Sequence, residues 1–109
     1  MGYHVLAQRL ACTNGTDNFS SPVQMNGNAV QIDSVCFNLG GSTSYTLELQ
    51  GSNDGANFSV ITTNAGLVLG LSTPTKSTGI GFAMVRMRVS VSAGSGTIII
   101  AYGINISHQ

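Results

Sequence analysis

The chain has 109 residues, which is the length of a single domain, and only 7% of them are charged, against roughly 25% in a typical domain. Four basic and four acidic residues give a formal net charge of zero. This balance argues against a nucleic-acid-binding surface, which needs clustered Lys and Arg, and a weakly charged surface favours a subunit that is normally packed against partners.

The N-terminal part of the chain has two features. Residues 5–12 show a short pattern that indicates either a weak amphipathic helix or a first strand. Residues 14–27 are rich in Asn, Ser, Thr and Gly and form the longest predicted loop, which is either functional or an ordered wrap. We therefore expect a single domain in which residues 1–28 form an N-terminal segment, as an arm or a first strand, and residues 29–109 form a β-sandwich.

The same region shows no targeting segment. His4, Gln8 and Arg9 interrupt what would have to be the apolar core of a signal peptide. The longest apolar run, residues 96–106, is too short to span a bilayer. The sequence therefore predicts a protein that is made in the host cytoplasm, is not secreted by a signal peptide and has no membrane partner.

From residue 29 onwards, apolar and polar residues alternate with the period that is typical of half-buried strands. In the first strand, residues 29–39, the apolar residues change from even positions (Val30 and Ile32) to odd positions (Val35, Phe37 and Leu39), and this phase change near Asp33-Ser34 predicts a bulge or a bend between sheets. Further strands are predicted at residues 45–50, 58–62, 84–91 and 97–106, with a glycine-spaced apolar piece at residues 66–71.

Turn sequences rich in Gly, Ser, Asn and Pro separate these strands. About seven or eight short strands with turns at such spacing predict an all-β fold, an antiparallel β-sandwich or jelly roll. A parallel sheet is not expected, because the sequence contains no crossover helix to cover it.

Three segments resemble a known family. Residues 45–58, YTLELQGSNDGANF, resemble a strand of the discoidin-type, galactose-binding-like β-sandwich family that ends in Gly-Ser, turns through Asp-Gly and resumes at an aromatic residue. Residues 82–89, FAMVRMRV, and residues 95–102, SGTIIIAY, resemble later strands of that family. The resemblance implies a sandwich fold and a lipid- or sugar-binding module.

The overall character of the chain is also similar to that of small bacteriophage particle proteins, such as capsid decoration and tail or fibre subunits. The shared features are a compact β domain, few charges, no signal peptide and many Gly, Ser, Thr and Asn residues. This second resemblance implies a structural role in a particle.

The turn after residues 45–50 is the first candidate site. Gly55 adopts a positive φ freely, and Asn53 and Asp54 tolerate one, so the sequence predicts a structural turn. The alternative is a ligand loop in which Asn53 and Asp54 contact a metal or a glycan. Calcium needs about six to eight oxygen ligands, however, and the whole chain has four carboxylate side chains.

The second candidate is a pair of arginines. Arg86 and Arg88 project to one face of their strand, and Glu48 is the expected partner if the two strands are neighbours. The functional alternative is an anion-binding or subunit-contact stripe, because Arg is favoured at interfaces. Tyr3 and Phe19 are further candidate partner contacts.

Few exposed aromatic rings are expected, because Trp is absent and most Tyr and Phe residues alternate in phase with the apolar residues that are expected to face the core. Phe19, Tyr3 and Phe58 are the rings expected at the surface, and they make a poor sugar platform.

No catalytic, metal or cofactor site is expected. His4 and His108 lie near the two termini, without further ligands at metal-binding spacing, and no Gly-x-Ser-x-Gly elbow is present. Cytoplasmic synthesis favours free thiols for Cys12 and Cys36, with a bridge left open.

These features lead to a functional hypothesis. We expect a non-enzymatic structural protein of a virus (phage) particle, a capsid decoration or other surface or tail subunit that acts through protein–protein packing. Its expected partners are a capsid or tail protein and further copies of itself. The alternative is a carbohydrate-binding module of the galactose-binding-like class, with a glycan as the partner.

Overall fold

The computed structural model describes residues 2–13, 18–38, 44–91 and 97–108, and in them the chain forms two antiparallel sheets around one core. The six long strands are β1 (Gly2–Thr13), β4 (Ala29–Asn38), β5 (Tyr45–Ser52), β6 (Ser59–Leu67), β9 (Met84–Val91) and β10 (Thr97–Ser107). The four short strands are β2 (Asn18–Phe19), β3 (Val23–Gln24), β7 (Gly70–Leu71) and β8 (Thr75–Ser77). The predicted all-β sandwich is confirmed, with about ten strands in place of seven or eight.

Sheet A has the strand order β1-β10-β4-β7, and β8 also pairs with β4. Sheet B has the order β2-β9-β5-β6, and β3 also pairs with β9. Strand β1 pairs with β10 from Gly2 opposite Ile106 to Thr13 opposite Thr97, so the N-terminal segment is an edge strand of sheet A. The described part of the predicted loop at residues 14–27 lines the edge of β9 through β2 and β3, and residues 14–17 lie outside the described residues. No helix that could cross a membrane occurs in the part of the chain that the structure describes.

The core is built from alternate residues of the long strands, because successive side chains of a strand point to opposite faces. The inward-facing aliphatic and aromatic residues of β5, β9 and β10 are almost completely buried. These residues are Tyr45, Leu47, Leu49, Val85, Met87, Val89, Ile98, Ile100, Ile104 and Ile106. Their opposite faces form the two outer surfaces of the sandwich.

The predicted bulge or bend near Asp33-Ser34 in β4 is wrong. Ile32, Ser34 and Cys36 all point into the core, so the alternation continues through the strand without a bend between sheets. Val35 and Phe37 therefore lie on the outer face of sheet A, where Phe37 is 45% exposed.

Ser34 can take a core position because its hydroxyl group has partners there. Its oxygen lies 2.6 Å from the hydroxyl of Ser72 and 3.2 Å from the phenol oxygen of Tyr45. A buried polar group with such partners loses little free energy on leaving water. Cys36 behaves as a small apolar residue and also points into the core. The prediction failed because it took only the large apolar residues of β4 as core positions.

Candidate functional site

Asp54 lies in the turn after β5, and its carboxylate is used inside that turn. It accepts hydrogen bonds from the backbone N–H groups of Ala56 and Asn57 at 2.9 and 2.8 Å, and from the Asn57 amide at 2.8 Å. The hydroxyl of Ser52 donates to it at 2.9 Å and accepts the N–H of Gly55 at 3.0 Å. Gly55 has φ of 78°, a conformation that glycine adopts without strain.

Asn53 connects the same turn to the start of β9. Its side-chain oxygen accepts the backbone N–H of Ala83 at 2.9 Å. Asn53 and Asp54 are thus engaged in holding the turn and its neighbouring strand. Among the described residues, no group of three or more His, Cys, Asp or Glu side chains is arranged to hold a metal ion.

The stability of the protein should depend on pH because of the hydrogen bonds to Asp54. These bonds hold the pKa of Asp54 well below its ordinary value of 3.8, and the backbone N–H of Asn57 contributes most, followed by that of Ala56. A carboxyl whose pKa is lower in the folded state stabilises the fold above its ordinary pKa, and loses this contribution as the pH falls towards the folded-state pKa. We expect Asp54→Asn to destabilise the protein at neutral pH, by a difference that shrinks in acid.

Urea unfolding of both proteins across the acid range measures this difference. A difference in the free energy of unfolding that stays constant from neutral to strongly acidic pH would contradict the role assigned to the Asp54 carboxylate.

Three of the predicted contact residues, Phe19, Arg86 and Arg88, come together on the outer face of sheet B. The guanidinium carbon of Arg86 lies 4.2 Å from the ring centroid of Phe19 and 3.8 Å from that of Phe58. Phe19 belongs to β2 on one side of β9, and Phe58 directly precedes β6 on the other side. The guanidinium is therefore flanked by two rings, each within the range of a cation–π interaction.

A row of hydrogen bonds continues from Arg86 across β5 and β9. Nε of Arg86 donates to the side-chain oxygen of Gln50 at 2.8 Å, and the Gln50 amide donates to Glu48 at 2.7 Å. The other oxygen of Glu48 accepts from Arg88 at 3.4 Å, so the predicted pairing of these two residues is confirmed. We call Phe19, Phe58, Arg86 and Gln50 the Arg86 cluster.

Tyr3 lies on the opposite side of the molecule, on the outer face of sheet A. Its ring crosses β10 at Gly103, where a Cβ atom would lie 2.5 Å from the phenol oxygen. Partial burial raises the pKa of Tyr3, and the nearby negative charge of Asp33 adds to this effect. Tyr3 thus does not join the Arg86 cluster, and a glycine in β10 is what makes room for it.

An apolar depression of about 400 Å³ lies beside Tyr3 on this face. It forms because the outward-facing positions of β10 include the small residue Ala101, whereas larger apolar side chains stand on the neighbouring strands. Val5 of β1 is 57% exposed, and Leu71 of β7 is 80% exposed. Val35 completes the apolar wall on the β4 side.

Phe37 extends the exposed apolar surface of sheet A, and the sequence analysis missed it. The guanidinium carbon of Arg9 lies 4.7 Å from its ring centroid. The signal that was available is the uninterrupted alternation of β4, which places Phe37 on the same face as Val35 once Ser34 is accepted in the core.

Cys12 and Cys36 are buried free thiols. Burial raises the pKa of Cys12 to about 11, and it also raises the pKa of Cys36. Neither thiol is therefore an activated nucleophile at neutral pH.

Comparison with known proteins adds information on the fold. No protein-family model and no curated protein sequence matches the chain. Among solved structures, the Yersinia pseudotuberculosis-derived mitogen is similar with a TM-score of 0.67 and 11% identity, over 95% of this chain and 86% of that one. A structure of Bacillus endospore appendages, described as disulfide-linked pili, is similar with a TM-score of 0.50 and 11% identity, over 97% and 90% of the two chains.

A third structure is the carbohydrate-binding module TmCBM61 in complex with β-1,4-galactotriose. It has a TM-score of 0.48 and 12% identity, over 96% of this chain and 69% of that one. This similarity is too distant to bear on the fold. The first two likenesses show that the chain shares its β-sandwich fold with proteins of very different sequence.

Proposed function

We propose that this chain is a non-enzymatic structural subunit that packs against copies of itself and other proteins in an assembly. The observation that carries the proposal is the apolar depression of sheet A, with Val5 and Leu71 exposed at its sides. Exposed apolar side chains grouped around a depression with polar residues beside them are a common feature of protein interaction sites.

The physical driving force is the removal of this surface from water, which is worth roughly 25 cal/mol for each Å² of apolar area. Charge opposes such contacts weakly here, because the formal net charge is zero and only 7% of the residues are charged. Low net charge promotes association of protein molecules. The side walls and floor of the depression come from strands whose backbones are hydrogen-bonded to their neighbours, so little backbone conformational entropy is lost on contact.

The proposed setting is a virus (phage) particle, in which the chain is a capsid decoration or another surface or tail subunit made in the host cytoplasm. Its low charge and its abundance of Gly, Ser, Thr and Asn support this setting. The genes beside its own test it: capsid or tail genes are the expected neighbours, and a neighbourhood without particle genes would count against it.

Sedimentation equilibrium of two leucine variants tests the role of the depression. We expect the wild-type protein to associate with rising concentration and Leu71→Ser to weaken the association about tenfold or more, because an interface loses the burial of a large apolar side chain. Leu69→Ser is the matched control, since Leu69 is 59% exposed but lies outside the depression. A wild-type protein that stays monomeric at high concentration, or equal effects of the two variants, would contradict the proposal.

A second candidate function is that of a carbohydrate-binding module. The observation that favours it is the Arg86 cluster, in which Phe19 remains 49% exposed beside a charged group with hydrogen-bond donors. Sugar sites combine an aromatic ring, which covers the apolar side of a pyranose, with polar groups that bind its substituents.

A further inference from the structure

We propose that the Arg86 cluster binds the carboxylate of an acidic sugar, a uronic acid, with the pyranose ring against Phe19. This inference rests on the second candidate function, which it deepens by naming the ligand class. It is independent of self-association, because the cluster lies on sheet B and the apolar depression lies on sheet A.

Arg86 retains hydrogen-bonding capacity for a ligand. A guanidinium has five N–H donors. Within the described residues, Arg86 makes one hydrogen bond, from Nε to the side-chain oxygen of Gln50. The two terminal nitrogens therefore keep the parallel pair of donors that fits a carboxylate in bidentate fashion.

The local charge around Arg86 favours a negatively charged ligand. The carboxylate of Glu48 is occupied by Gln50 at 2.7 Å and by Arg88 at 3.4 Å. The ion pair of Glu48 with Arg88 leaves the positive charge of Arg86 without an anionic partner among the contacts of the cluster. A guanidinium that has no ion pair with any described residue, and that presents a planar pair of donors, favours a ligand that carries one planar negative group.

The side chain of Arg86 is held in place before any ligand binds. The Phe19 and Phe58 ring centroids lie 4.2 and 3.8 Å from the guanidinium carbon, and the side-chain oxygen of Gln50, which is only 8% exposed, accepts the hydrogen bond from Nε at 2.8 Å. A ligand group that meets an already ordered arginine loses less free energy in ordering the site. Because Phe19 is still half exposed, a ring attached to the carboxylate has an apolar surface to cover.

The test compares trigalacturonate with the galactotriose that has the same glycosidic linkages, because the two sugars then differ only in the carboxylate that replaces the hydroxymethyl group of each unit. Titrations are followed by calorimetry and by the NMR resonance of the Arg86 Nε–H group. We expect trigalacturonate to bind at least about tenfold more tightly than galactotriose, since hydrogen bonds between charged groups contribute this much or more. Binding should shift the Arg86 resonance.

Two arginine variants test whether Arg86 causes the preference for the acidic sugar. Arg86→Gln is expected to abolish the preference for the acidic sugar. Arg9→Gln removes the same charge from an arginine that lies over Phe37 on the opposite sheet, and it should leave both affinities unchanged. If thermal unfolding shows that Arg86→Gln does not fold, Phe19→Ala is used in its place and should weaken trigalacturonate binding about fivefold or more, because ring contacts contribute about 1 kcal/mol.

The outcomes separate the inference from the function on which it rests. Equal binding of the two sugars, or an acidic preference that survives Arg86→Gln, overturns the carboxylate site while the sugar-binding function stands. Binding of neither sugar overturns both.

Discussion

Replacing Ile100 by Ala is expected to lower the free energy of unfolding by about 2–5 kcal/mol, the range for truncation of a fully buried aliphatic side chain. Ile100 is completely buried in β10, between β1 and β4. Its removal leaves a cavity that rigid neighbouring strands cannot close, in addition to the loss of apolar burial. Urea unfolding measures the change.

The neighbouring isoleucine provides the control for this experiment. Ile99 lies on the same strand but points to the outer face, where it is only partly buried. We expect Ile99→Ala to lower the free energy of unfolding by about 1 kcal/mol or less. A similar decrease in the free energy of unfolding for both variants would mean that the two faces of β10 do not differ in burial as the structure indicates.

The second large effect is expected at Gly51, which lies in β5 with its Cα turned towards the core. A Cβ atom there would lie 2.6 Å from Cγ of Phe82 and 2.9 Å from Cδ1 of Ile61. We expect Gly51→Ala to lower the free energy of unfolding by about 1–3 kcal/mol, because overpacking forces these side chains out of place. Chemical denaturation gives the value.

Gly81 is the matched position, since it has open space around it and no positive φ. Gly81→Ala should leave stability unchanged or raise it by up to about 1 kcal/mol, because alanine restricts the unfolded chain more than glycine does. A Gly51→Ala protein as stable as Gly81→Ala would show that Phe82 moves aside freely.

Strands were predictable from the sequence where apolar residues lie in the core and polar residues lie at the surface. In β9, Val85, Met87 and Val89 alternate with two arginines, and these three apolar residues lie in the core. The same logic failed in β4 because the core accepts Ser34, whose hydroxyl is satisfied by partners that come from distant parts of the chain. A periodicity argument contains no information on such partners.

The candidate site was predictable in part for a related reason. Glu48 and Arg88 both lie on the solvent-facing sides of strands that have a regular alternation in the sequence. Their ion pair was therefore predictable once the two strands were assumed to be neighbours. The contact of Phe19 and Phe58 with Arg86 depends on the order of strands in sheet B, which short-range patterns do not determine.

The apolar depression was missed because of the residue that forms its floor. Ala101 gives a weak signal in the sequence, and it becomes significant only beside the larger Val5 and Leu71 of other strands. A concave surface is a property of neighbouring strands together, and one strand alone does not reveal it.

We propose that this protein acts by packing through the outer face of sheet A. Methyl NMR spectra recorded over a dilution series test it most directly. We expect concentration-dependent shifts for the methyl groups of Val5, Val35 and Leu71, which line the depression, and none for Val60, which is 57% exposed elsewhere. Spectra that do not change with concentration, or changes confined to Val60, would contradict the claim.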